Sequence, residues 1–263
     1  MINNIKEKRP LIHCITNPIS ITQCANAILA LGAKPIMAEH PCEVLSITET
    51  ADALLLNLGN ITDARMKSIE ISANTAFINK IPFVLDAVGV SCSEIRKKVC
   101  CSLIDKYKPS VLKGNYSEIY SLFNLKYKSA GVDTDKQLKP EEITEASVFL
   151  ASKFNTTVIA TGKIDIVTDS KKIFYIRNGV EQLSQITGTG CMLGTVCTVL
   201  LSCCEPIESA VKSAEIMGIC GELSLTEKGC GTFYTNLLDN LSLISDENIN
   251  KFKKTEKIDV EEI

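Results

Sequence analysis

The chain has no tryptophan and only two histidines, His13 and His40. The missing tryptophan says nothing about function. The scarcity of histidine, together with the absence of any C-x-x-C pair, argues against a structural zinc site. There is no basic excess: 28 Lys and Arg face 31 Asp and Glu, for a net charge of −3. A nucleic-acid binder would usually present a basic face, so none is expected. No apolar run reaches the roughly 20 residues of a membrane span. The longest uncharged stretch lies near Cys191 to Cys204. Residues Met1 to Pro10 carry lysines but no apolar segment, so they do not read as a signal peptide. A cytoplasmic location without a membrane partner is expected.

What the chain has in plenty is cysteine, 12 residues in 263. Without an export signal these thiols should be reduced, so a disulfide framework is not expected. Cys100-Cys101 and Cys203-Cys204 are adjacent pairs inside helical patterns. Eleven of the cysteines read as small apolar fillers. The twelfth, Cys191, has a different context.

Apolar strands alternate with helical segments. Strands are expected at Lys34–Ala38, Ala53–Leu58, Pro82–Leu85, Pro109–Leu112 and Thr157–Ala160. Helices are expected at Ile19–Leu31, Pro41–Glu49, Asp63–Asn79 after Thr62, from Ser91 or Ser93 to Tyr107, and Glu141–Phe154. Gly32 supplies a helix stop. Ile164–Thr168 and Lys172–Ile176 read as a hairpin. A polar loop is expected around Gly131 to Lys136. Beyond residue 187 the chain looks helical almost to its end, with Pro206 dividing two helices. Such alternation implies βαβ units and a mainly parallel sheet covered on both faces, here as one α/β domain over residues 1–263. Polar signatures follow the strand ends at Asp86, Lys113 to Glu118, and Thr161-Gly162, the edge where open α/β sheets bind ligands.

The sharpest motif is Thr187-Gly188-Thr189-Gly190-Cys191-Met192-Leu193-Gly194. Two glycines let the backbone turn tightly and approach a ligand. The apolar run that follows reads as a buried helix. A turn feeding a helix N-terminus aims unpaired N–H groups and the positive dipole end at one point. That suits phosphate, and Cys191 sits at its mouth.

These pieces, in order, resemble the hydroxyethylthiazole kinases of the ribokinase-like superfamily. The resemblance runs from His13-Cys14-Ile15-Thr16-Asn17 through Ala30–Ala38, Val84-Leu85-Asp86-Ala87-Val88-Gly89, Lys113–Glu118 and Ala160–Asp165 to the glycine turn. No single piece is specific, but their order and spacing are. The resemblance implies a three-layer sandwich. It implies transfer of the ATP γ-phosphoryl group to 4-methyl-5-(2-hydroxyethyl)thiazole in thiamine biosynthesis or salvage. It also implies Mg²⁺ and a homotrimer with active sites between subunits.

Matched residue by residue, the resemblance assigns the following roles. Cys191 occupies the position where most of the superfamily has an aspartate base. A plain packing role is the alternative, and a loose phosphoryl-transfer transition state asks for positioning more than for a strong base. Gly188 and Gly190, with the N–H groups of Thr189 and Cys191, form the anion hole. Gly188, Met37 and Asn17 match the thiazole side. A core methionine is the alternative for Met37, and Asn17 lies in the family's N-terminal loop near the substrate. Lys113, Thr161 and Asn115 match the ATP side. Lys113 stands where relatives have arginine and loses the bidentate fork. Glu118, in Asn115-x-x-Glu118, and Asp86 match the Mg²⁺ positions. Without the resemblance, Asn115 is a helix cap and Glu118 a solvated helix charge. His13 receives no catalytic role.

Two segments depart from the family pattern. After Asp86 the chain reads Ala87-Val88-Gly89-Val90-Ser91, where relatives have Pro-Val-Gly-Ala-Gly. The region from Asn124 to Pro140 is lysine-rich and lacks a glycine-rich acidic loop. The alternative acceptors are hydroxymethylpyrimidine and pyridoxal, although kinases for these usually carry Gly-x-Gly-Asp. A dinucleotide fingerprint would follow a first strand, which this turn does not. A cysteine hydrolase would need a histidine linked to Cys191. A binding protein that retains the pocket without turnover is the non-catalytic reading.

Overall fold

The computed structural model describes residues 1–127, 129 and 138–259. The polar loop expected at Gly131 to Lys136 lies outside the described residues. The chain opens with helix α1 (Ile2–Lys8), strand β1 (Leu11–Ile15), α2 (Ile21–Ala30), β2 (Lys34–Ile36) and α3 (Val44–Thr50). It continues with β3 (Ala53–Asn57), α4 (Asp63–Asn79), β4 (Phe83–Asp86), α5 (Glu94–Tyr107), β5 (Val111–Asn115) and α6 (Tyr116–Phe123). Next come α7 (Pro140–Phe154), β6 (Thr157–Thr161), β7 (Asp165–Thr168) and β8 (Lys172–Ile176). The last elements are α8 (Thr189–Leu201), α9 (Pro206–Leu223), α10 (Cys230–Leu243), α11 (Asp246–Phe252) and β9 (Thr255–Asp259).

The strands form one sheet in the order β2-β1-β3-β4-β5-β6-β7-β8-β9. Pairings from β2 through β6 are parallel, and those from β6 through β9 are antiparallel. Side chains alternate across each strand, so every central strand feeds two cores. Ile12, Leu55, Val84, Val111 and Ile159 face one layer with α2, α8, α9 and α10. Leu54, Leu56, Leu85, Leu112 and Val158 face the layer of α4 to α7. This is the expected α/β sandwich with a mainly parallel central sheet.

Local chemistry sets most helix starts. Thr62 and Ser93 accept hydrogen bonds from Arg65 N and Arg96 N, as N-caps of α4 and α5. The second of the two candidate serines is therefore the cap. Asn115 caps α6 in a reciprocal box with Glu118.

The structure differs from the sequence reading in four places. Helix α1 and strand β1 precede the first expected element, because seven- and five-residue segments show too little periodicity to register. β9 follows the C-terminal helices and pairs with the open edge of β8. The buried helix α8 ends at Leu201, so Cys203 and Cys204 lie in the turn beyond it. Finally, three of the expected filler cysteines, Cys42, Cys92 and Cys230, are exposed. They sit in or at the ends of loops, where burial was never available to them.

Candidate active site

Strands β3, β4 and β5 lie side by side, with Asn57 in register with Asp86 and Asp86 with Lys113. Two residues beyond Leu55, Val84 and Val111, alternation returns these polar side chains to the α8 face. Three neighbouring strands therefore carry Asn57, Asp86 and Lys113 at one level, all buried. Lys113 Nζ donates to Asp86 Oδ1 at 3.0 Å, and Asn57 Nδ2 donates to Asp86 Oδ2 at 3.0 Å. Asn57 Nδ2 also lies 3.3 Å from Cys191 Sγ, as does Asn17 Nδ2 from the loop after β1. Asn17, Asp86, Lys113 and Cys191, singled out separately from sequence, form one cluster.

The glycine turn lies over it. Gly188 has φ +94° and is the N-cap of α8. A Cβ there would stand 3.1 Å from Ser20 Cβ. Helical bonding starts with Met192 N donating to the Gly188 carbonyl at 2.8 Å. The N–H groups of Thr189, Gly190 and Cys191 precede that bond, at the positive end of the dipole. A Cβ at Gly190 would lie 3.5 Å from Lys113 Nζ, so the bare backbone leaves the ammonium close to the turn. Oriented N–H groups above one fixed cation are an arrangement that suits an anion.

The electrostatics are those of a dry site. Burial disfavours the Lys113 ammonium, but Asp86 and Glu118 outweigh it and hold its pKa above the ordinary lysine range. Burial pushes the Asp86 carboxyl upward, and Lys113 and Asn57 oppose the rise. Glu118 is 3% exposed. The alternative of a solvated helix charge, which holds only without the family resemblance, is therefore overturned. Its Oε1 accepts from Gly89 N and its Oε2 from Asn115 N, each at 2.7 Å. The short α6 starts inside the fold, which carries its N3 side chain under the loop after β4. Burial lifts Glu118 to about 7, Lys113 pulling it back and Asp86 adding to the rise. Gly89 keeps its φ of +76° within this altered loop.

No group of three His, Cys, Asp or Glu is clustered for a metal among the described residues. The acidic residues nonetheless fit a hydrated cation. Each carboxylate oxygen of Asp86 and Glu118 has lone pairs beyond its single N–H partner. Glu118, raised by burial, gains from a cation. Mg²⁺ keeps several waters and often uses only one or two carboxylates.

A cavity of about 730 Å³ opens beside the turn. Thr161, Asp165, Val180, Thr189, Gly190 and Met217 are among its walls. Asn115 stands at its strand end, in register with Thr161. Asp165, at the start of β7, accepts from Gly162 N at 3.0 Å, and burial lifts its carboxyl to about 7 against the pull of that N–H and of Lys113. Met37 is not on the walls of this cavity; it follows β2, the edge strand paired with β1, and is half-buried against the α2 layer. His13 reaches the same segment: its Nε2 lies 2.9 Å from the Ala38 carbonyl and its Nδ1 3.0 Å from Thr48 Oγ1. Burial holds its pKa low, against the Ala38 bond, so it is a neutral structural link.

Asn57 was missed from sequence. Its one signal was a polar residue closing the otherwise apolar run Ala53-Leu54-Leu55-Leu56.

A family model described as the hydroxyethylthiazole kinase family matches residues 2–247. The chain belongs to the hydroxyethylthiazole kinase family. It is therefore a kinase. Hydroxyethylthiazole kinase 2 of Clostridium botulinum strain Langeland is 46% identical over 253 residues, spanning 94% of this chain and 96% of the relative. Hydroxyethylthiazole kinase 1 of Methanosphaera stadtmanae is 37% identical over 98% of this chain and 96% of the relative. The solved hydroxyethylthiazole kinase protein from Pyrococcus horikoshii OT3 superposes with a TM-score of 0.89 at 31% identity, over 98% of this chain and 97% of that one. Pyridoxal kinase from Staphylococcus aureus, in complex with AMP-PCP and pyridoxal, superposes at 0.66 with 16% identity over 95% of this chain and 99% of that one. That last likeness speaks for the fold alone.

Proposed function

We propose that this kinase transfers the γ-phosphoryl group of ATP to the side-chain hydroxyl of 4-methyl-5-(2-hydroxyethyl)thiazole, in thiamine biosynthesis or salvage. The observation that carries the reading is the convergence of Asn17, Asp86, Lys113 and Cys191 beneath the glycine N-terminus of α8. ATP occupies the 730 Å³ cavity, with Thr161 on its wall and its phosphates directed to the turn. Lys113 and the N–H groups of Thr189 and Cys191 hold the transferring phosphoryl group. Cys191 orients the attacking hydroxyl, and Met37, Gly188 and Asn17 form the thiazole side. The substrate oxygen bonds to phosphorus as the bond to the β-phosphate oxygen breaks, the hydroxyl proton is released to solvent, and ADP leaves. A loose transition state of this kind needs placement and charge stabilisation from the protein. Glu118, through water, and Asp86 would hold Mg²⁺. When bound, the ion neutralises charge on the β- and γ-phosphate oxygens.

The test is ADP release with Mg-ATP and each of hydroxyethylthiazole, hydroxymethylpyrimidine, pyridoxal and no acceptor. Release is expected only with the thiazole, with its phosphate ester detected by mass, and chelation with EDTA is expected to stop it. Stimulation by one of the other alcohols would replace the acceptor and keep the ATP site. Mass in solution three times that of the chain would support the trimer.

A further inference from the structure

The cluster contains one side chain that the roles above leave idle. Asn57 is fully buried at the end of β3 and hydrogen-bonds to Asn17, Asp86 and Cys191 at the mouth of α8. Its Oδ1 faces donors only: Gly59 N at 2.8 Å and Asn17 Nδ2 at 3.3 Å. Its Nδ2 faces acceptors only: Asp86 Oδ2 at 3.0 Å and Cys191 Sγ at 3.3 Å. Rotating the amide by half a turn would set oxygen against a carboxylate and N–H against N–H. The orientation is therefore fixed by its partners.

The donor accounting closes. An amide nitrogen has two hydrogens. Those of Asn17 go to Asn57 Oδ1 and Cys191 Sγ, and those of Asn57 to Asp86 Oδ2 and Cys191 Sγ. Cys191 Sγ thus receives two N–H groups, and its sulfur is held as an acceptor. Asn17 Oδ1 in turn accepts from Ser20 N at 3.1 Å, which fixes the second amide. An independent feature supports the same unit. A Cβ at Gly59 would meet Asn57 Oδ1 at 2.9 Å and Asn17 Nδ2 at 3.1 Å. Only a residue without a side chain leaves room for both amides.

We propose that Asn57 is a positioning residue: its carboxamide, seconded by Asn17, locks the sulfur of Cys191 to the carboxylate of Asp86 as one rigid unit. The sulfur is then held facing the acceptor hydroxyl, while Asp86 keeps Lys113 under the phosphoryl position. The catalytic side of this inference rests on the phosphoryl-transfer reading above. The clamp itself does not.

The test compares Asn57→Ala and Asn57→Ser with Cys191→Ala and the double variant Asn57→Ala/Cys191→Ala. Asn57→Ala is expected to lower kcat about 10- to 100-fold, the range for losing hydrogen bonds to a charged group. KM for the thiazole should stay within about twofold. In the Cys191→Ala background the same substitution should cost at least threefold less, since part of its action passes through the sulfur. Asn57→Ser, which keeps one short donor, should fall between. Fully independent losses in the double variant would overturn the proposal, because a merely structural asparagine acts whether or not sulfur is present. If Asn57→Ala does not fold, Gly59→Ala asks the same question by displacing Oδ1 from the other side. It should lower kcat and show the same coupling to Cys191→Ala. If wild-type protein turns over no acceptor, the function fails and the clamp is read by alkylation. The iodoacetamide rate at Cys191, relative to exposed Cys230, should then fall at least threefold in Asn57→Ala. An unchanged ratio would remove the clamp as well.

Discussion

Replacing Lys113 by methionine tests the electrostatics of the site most directly. The pair Lys113–Asp86 is 3.0 Å apart, with side chains 5% and 0% exposed. Methionine keeps the bulk of the stem and removes the charge, leaving Asp86 buried with the Asn57 amide as its remaining partner. Removing one member of such a pair costs about 3–5 kcal/mol, mostly because the other charge stays desolvated. At roughly 2–4 °C per kcal/mol for a domain of this size, Tm should fall by about 10 °C. Asp86→Asn added to Lys113→Met removes the stranded charge and should restore more than half of the loss. The sign of the pH effect follows. Alone, Asp86 has a folded pKa raised by burial, so the folded state takes up a proton more readily than the unfolded chain. Stability of Lys113→Met should therefore recover as pH falls from 8 to 5. Urea unfolding at pH 8, 6.5 and 5 measures all three legs. A deficit below 1 kcal/mol at pH 8, or one that grows on acidification, would refute the reasoning.

Cys191→Ala should slow turnover about tenfold without abolishing it, while Cys191→Asp retains substantial activity; an unaltered alanine variant would reduce Cys191 to packing. Gly188→Ala should lower both kcat and stability, the latter by about 1–2 kcal/mol, since φ of +94° strains any side chain and Ser20 lies 3.1 Å from the new methyl. Asp165→Asn should gain about 1 kcal/mol over wild type on going from pH 5 to pH 8, after screening at a partly exposed carboxyl. The wild-type carboxyl is raised to about 7, so ionising it costs folding energy between roughly pH 4 and 7, and asparagine escapes that cost. Parallel thermal melts at the two pH values decide it.

Much of the site was legible in one dimension because its parts are backbone features or strand ends. Gly188 and Gly190 announce a turn into a helix, and Asp86 and Lys113 close apolar runs. Glu118 was legible through the resemblance, in Asn115-x-x-Glu118, and illegible as a buried carboxylate. Its burial depends on the Gly89 loop folding back 29 residues away in sequence, and no local pattern records that. Asn57 was passed over for the same reason: one asparagine after three leucines looks like a strand terminus. The α1 and β1 segments were missed because short elements have too little period to read.

The sequence by itself determined the alternation of strands and helices, the parallel sheet and the glycine-led helix, because periodicity, caps and φ preferences are local properties. Tertiary structure alone decided that Asn17, Asn57, Asp86, Lys113 and Cys191 share one dry cluster. Strand register sets Asn57, Asp86 and Lys113 at one level on one face, and the packing of α8 across β3 and β4 brings in Cys191. Distances between elements, and the desolvation that follows from them, are fixed only when the layers close.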